Sequence, residues 1–93
     1  MRNYEFTVIF DANEEKTAAG MEIVSKAFAD AGVEITKQED MGVKILAYPI
    51  KKQEKGHYIY FEMSADPASI VGFEQKFLLS APILKFLFVN KEK

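Results

Sequence analysis

Two hydrophobic periods alternate along the chain. In "RNYEFTVIF", residues 2–10, Tyr4, Phe6, Val8 and Phe10 recur at every second position, with Asn3, Glu5, Thr7 and Ile9 between them. That period puts the first set on the core face of a strand and a mixed set on the other face. "DANEE" ends the strand. Asn13 or Asp11 is placed to cap a helix, with Glu14 and Glu15 in its first turn, where the helix dipole favours negative charge. Met21, Val24, Ala27, Phe28 and Ala31 follow helical spacing, and Gly32 suits a left-handed helix end. From Val33 towards Ile50 the pattern predicts a long second strand, bulged or bent at "QEDMG" around Gly42. Pro49 cannot donate a ladder hydrogen bond, so this strand belongs at a sheet edge. "KKQEKG" reads as a loop and "HYIYFEMSA" as a third strand, where Ile59, Phe61 and Met63 alternate with Tyr58, Tyr60 and Glu62. Asp66 and Pro67 then open a second helix with an apolar stripe through Ile70, Val71, Phe73, Phe77 and Leu78. "SAP" breaks it, and "ILKFLFV" is a last strand with Leu84, Phe86 and Phe88 on one face.

Strand, helix, strand, strand, helix, strand is the α+β order of the ferredoxin-like split βαβ fold. Right-handed crossovers place both helices on one face of a four-stranded antiparallel sheet. The other face is left open to water or to a partner. The expected core is Phe6, Val8, Val24, Phe28, Ile59, Phe61, Phe73, Phe77, Phe86 and Phe88. Ninety-three residues, with no linker or low-complexity segment, read as one domain, 1–93. The absence of cysteine excludes a disulfide framework, a Cys-ligated zinc and a Cys nucleophile. The N-terminus shows no signal-peptide pattern, and no apolar run reaches the roughly 20 residues of a membrane span. The expectation is a soluble intracellular protein with no membrane partner.

Charge is distributed unevenly. The net charge is −2, but residues 1–40 hold four Lys/Arg against nine Asp/Glu. Residues 41–57 reverse the balance with Lys44, Lys51, Lys52 and Lys55 against Glu54. The acidic first forty residues repel phosphate, so an anionic polymer has to approach through this basic segment. Lysines make compact phosphate contacts whose counterion release is salt-dependent. The other reading of the same lysines is a solvated hairpin loop. Tyr58 and Tyr60 face away from the core, where aromatics stack on bases, pair across strands or meet a protein partner. No RNP-type consensus accompanies them. Tyr4 has core parity, and the bend at Gly42 leaves that of Tyr48 open. His57, the lone histidine, has no second His or Cys to share a metal, so a hydrogen bond or phosphate contact is expected of it. Glu39–Asp40 and Glu14–Glu15 are acidic pairs at a strand bend and a helix start, where solvated and capping roles are commoner than acid–base work. No Ser/His/Asp constellation, Walker loop or GxGxxG is present.

Four segments resemble one family: "MRNYE", "EDMGVKILAYPIKK", "GHYIYFEM" and "ILKFLFV", in order across the whole chain. They are similar to the bacterial small-ribosomal-subunit protein six family. The specific part is the run from Gly42 to Lys51. The resemblance implies a ferredoxin-like fold and a cytoplasmic, ribosomal location. It also implies binding to the central domain of small-subunit ribosomal RNA together with small-subunit ribosomal protein eighteen, with no cofactor, no small-molecule substrate and no catalysis. Family members often carry arginines near the end of the second helix, where this chain reads "FLLSAPIL", and a polar residue where Ile45 stands. The residues expected to meet RNA are Arg2, Lys44, Lys51, Lys52, Lys55 and His57, flanked by Tyr58 and Tyr60. Two other readings share the fold. A free-standing interaction or small-molecule module assembles through the open sheet face. An acylphosphatase-like hydrolase needs an arginine beside a phosphate-cradling loop, whereas the sole arginine is Arg2 and the first loop is acidic.

Overall fold

A computed structural model of the chain describes residues 2–91; Met1, Glu92 and Lys93, the ends of the expected 1–93 domain, lie outside the described residues. The elements are β1 (Arg2–Asp11), α1 (Glu14–Asp30), β2 (Glu34–Ile50), β3 (Gln53–Ala65), α2 (Pro67–Leu78) and β4 (Ile83–Asn90). All strand pairs are antiparallel in the order β2-β3-β1-β4, the ferredoxin-like arrangement. Of the two candidate caps for α1, Asn13 is the cap: its side chain accepts from the backbone of Glu15 at 2.9 Å and Lys16 at 3.3 Å. Asp11 supports it from behind, accepting the Asn13 N–H at 3.0 Å. Gly32 takes the left-handed conformation (φ 70) that ends α1. Asp66 caps α2 by accepting the Ala68 N–H at 2.9 Å.

The core lies between the sheet and the helix layer, where Phe6 and Phe61 of the sheet meet Phe28, Phe73 and Phe77 of the helices. Phe6 is fully buried, edge-on to Phe28 at 5.5 Å and stacked on Phe88 at 4.4 Å. Phe10, Met63 and Ile83 are equally buried and extend the expected core. Phe86 and Phe88 pack against it but are only partly buried, because β4 is an edge strand.

Three sequence expectations change. The expected loop at residues 51–56 shrinks to Lys51 and Lys52, and Gln53–Gly56 belongs to β3. Leu84 does not share a face with Phe86 and Phe88. Ile9 pairs with Lys85 and Phe10 with Ile83, so Leu84 is an extra, bulged residue that turns to the opposite face. The sheet face away from the helices is not open along its whole length. At one end Ile9, Leu84 and Leu46 form a second buried cluster, with Ile50 and Tyr58 packed against it.

The second cluster arises from irregular pairing of β2 with β3. Extra residues at Thr36 and Met41 shift the register, and Gly42 takes φ 82 at the second shift. Beyond Ile45, which pairs with Lys55, the next pair is Ile50 with Gln53. Residues 46–49 therefore make a detour opposite Glu54 alone. With the turn that follows, they form an arm, residues 46–53, folded over the sheet. Leu46 seats the arm on Ile9 and Leu84. Gly56 leaves room for that seat, since a Cβ there would collide with the Ile9 side chain and crowd Leu46.

Candidate nucleic-acid interface

The arm and the strand ends beneath it hold most of the expected basic residues. Lys51 and Lys52 are the two central residues of the turn, both with positive φ (50 and 66). Lys52 and Lys55 line a concave surface shared with Asp11, Asn13 and Lys16. Among the described residues neither Lys52 nor Lys55 is paired with a carboxylate. Sequence reasoning misses Lys16, which is distant along the chain and arrives because α1 begins beside the base of the arm. Its ammonium stands 3.5 Å from Asp11, the buried carboxylate that also organises the helix start.

Lys51 turns elsewhere. Its ammonium donates to the Ile83 carbonyl at 2.9 Å, tying the turn to the start of β4. A second contact runs parallel to it: Lys85 of β4 donates to the Tyr48 hydroxyl at 3.2 Å and lies 5.8 Å from that ring's centre. Lys44 is exposed and sits 5.6 Å from the centre of the half-buried Tyr58 ring, within cation–π range.

Arg2 and Tyr60 lie apart from the lysine cluster, and His57 makes a hydrogen bond, one of the two roles expected of it. Arg2 pairs with Ala65, while Asp11, at the arm end of the same ladder, pairs with Gly56. Nine residue steps of strand separate them, about 30 Å at roughly 3.3 Å per residue. Arg2 is therefore not part of the lysine cluster. His57 is occupied by a hydrogen bond of 2.6 Å between its Nε2 and Asp40 Oδ1. That bond, followed by one from the Gly42 N–H at 2.8 Å, holds the Asp40 carboxyl below the usual carboxylate range. The pair braces β2 to β3 at the Met41 bulge, ahead of the arm.

Tyr60 stands among acids. Its hydroxyl donates to Glu5 at 2.6 Å and lies 3.1 Å from Glu62. The Glu5 contact first, then desolvation and Glu62, push its ionisation above the ordinary tyrosine range. Glu62 is held below its own ordinary range by Lys91, 2.8 Å away, and then by Tyr60. Glu5 and Glu62 face each other directly across β1 and β3, a like-charge pairing that costs stability. Lys91 and Lys37, 2.8 and 4.0 Å from Glu62, offset part of that charge. Beside this pair, on β4, Leu87 and Val89 are exposed at 59 % and 44 %. The sheet face thus divides into a covered, lysine-bearing end and an uncovered end of carboxylates, Tyr60 and aliphatic side chains.

Among the described residues no group of three or more His, Cys, Asp or Glu is placed to hold a metal ion. No described helix is long and apolar enough to cross a membrane.

The family described as ribosomal protein S6 matches residues 3–90. The small ribosomal subunit protein bS6 of Treponema denticola is 39 % identical, with 99 % of each chain covered. The protein of the same description from Treponema pallidum (strain Nichols) is 32 % identical over 97 % of each chain. The crystal structure of 30S ribosomal protein S6 from Thermotoga maritima superposes with a TM-score of 0.86 at 27 % identity, covering 97 % of this chain and 87 % of that one.

Proposed function

The chain belongs to the ribosomal protein S6 family, and from that premise we propose that it binds the central domain of small-subunit ribosomal RNA together with ribosomal protein eighteen, using the lysine-bearing arm. Membership makes it a structural, non-catalytic protein of the small ribosomal subunit, and so a cytoplasmic one. The finer reading rests on one observation: Lys16, Lys52 and Lys55 line a single concave surface, where they outnumber the Asp11 and Glu54 carboxylates, in a chain of net charge −2. Lys44, on its Tyr58 ring, is a further exposed lysine on β2, outside that concavity. A few lysines bind RNA weakly and with strong salt dependence. The partner protein compensates by docking on apolar surface, for which Leu87 and Val89 offer an exposed patch.

The test is binding of the purified chain to a central-domain ribosomal RNA fragment, with and without protein eighteen, over a series of salt concentrations. The expected result is weak binding alone and much tighter binding with the partner, both declining with salt. Equal affinity for the fragment and for an unrelated RNA of the same length, with or without the partner, would overturn the proposal.

A further inference from the structure

On the reading that the arm meets RNA, we infer that Lys51 is a positioning residue: its ammonium straps the arm to β4 and orients Lys52 and Lys55, and does not itself meet phosphate. The turn that carries it is locally unfavourable. A two-residue hairpin turn with positive φ at both central positions prefers Asn-Gly, because a Cβ crowds the backbone in the left-handed region. Here both positions are lysine, with φ 50 and 66. Such a conformation persists only where the surroundings determine it, and those surroundings are visible. Lys51 Nζ holds the Ile83 carbonyl at 2.9 Å in a partly buried bond. That carbonyl adjoins Leu84, the bulged residue on which Leu46 sits. Lys85 reaches back to the Tyr48 hydroxyl at 3.2 Å and closes the other side. The arm is thus seated on aliphatic side chains and held at its rim by two lysines, one from each of the elements that meet there.

The strap and the contact roles divide between neighbours. Lys52 and Lys55 line the concavity beside α1, whereas Lys51 is committed to β4. Removing a phosphate contact lowers affinity and flattens the salt slope. Removing a strap lowers affinity by letting the arm wander and leaves the slope alone, because no counterion is released at that position.

The experiment measures two quantities on Lys51→Met, Lys51→Arg and Lys52→Met. The first is amide hydrogen exchange in residues 46–53 of the free protein, with the core amides of β1 and β3 as the folding control. The second is the salt dependence of binding to the central-domain RNA fragment with protein eighteen. Lys51→Met is expected to speed exchange in the arm about tenfold and to weaken RNA binding about fivefold at every salt concentration, the scale of one charge-assisted hydrogen bond discounted for partial exposure. Lys51→Arg, which still donates, should restore arm protection. Lys52→Met should leave arm exchange unchanged and reduce the slope by about 0.7–0.9, one phosphate contact. Arm exchange unaffected by Lys51→Met, or a slope reduced by a full contact in that variant, overturns the inference. A slope unchanged in Lys52→Met counts against the RNA reading of the arm, while arm exchange still decides the strap.

Discussion

Truncating Phe61 to alanine should cost about 3–5 kcal/mol, because its ring is 1 % exposed and touches both Phe6 and Phe28. That is a large part of the roughly 5–15 kcal/mol that holds a small domain folded, so denaturant unfolding of Phe61→Ala should show a much lower midpoint. The polar residues give pH predictions of opposite sign. Asp40 is held below the ordinary carboxylate range by His57 and then Gly42. A depressed folded value stabilises above the unfolded value of about 3.9, and the contribution is lost as pH falls through the folded value. Asp40→Asn should therefore show a shallower loss of stability on acidification, followed by thermal melting from neutral pH downwards. The effect is small, since the carboxylate is 61 % exposed. Tyr60 behaves inversely. Its raised folded value stabilises fully below about pH 10 and is lost as pH rises through that folded value. In an alkaline titration of tyrosinate absorbance, Tyr60→Phe should abolish the last-ionising component.

Among the elements, those with an unbroken period are legible in the sequence. β1, the inward side of β3, both helix caps and the glycine end of α1 follow from side-chain spacing and local chemistry alone. The arm is not legible in the same way. Its four-residue detour opposite Glu54 obeys no period, and it is fixed by seats on β1 and β4 that lie far away in sequence. The period of the last strand puts Leu84 on the wrong face because one bulged residue reverses parity. Charge density singles out the lysines, but along a chain it carries no direction. Only the fold separates Lys51, which faces β4, from Lys52 and Lys55, and sets Arg2 at the far end of the ladder. Gly56 is the element-scale test. Gly56→Ala introduces a methyl where Ile9 and Leu46 already stand, so it should cost about 1–3 kcal/mol. Proteolytic cleavage should appear first within residues 46–53, ahead of the core.

On the scale of the whole molecule, residues 1–40 are rich in acid and residues 41–57 in lysine, and binding should reflect it. Replacing Lys52 and Lys55 together with alanine should leave the melting temperature nearly unchanged and reduce the salt slope of RNA binding by about 1.4–1.8, two contacts' worth. The bulge at Leu84 has a further consequence. Delete that one residue and β4 alternates regularly: Ile83 and Phe86 keep their places among the aromatic rings, since Leu84 is the supernumerary position of the pairing. What disappears is half of the perch of Leu46, which is left with Ile9 alone among its two buried partners. The aromatic interior and the arm thus share a backbone but not a frame, and a residue inserted or removed within 46–49 should shift the arm while leaving the pairing of β1 with β3 in register.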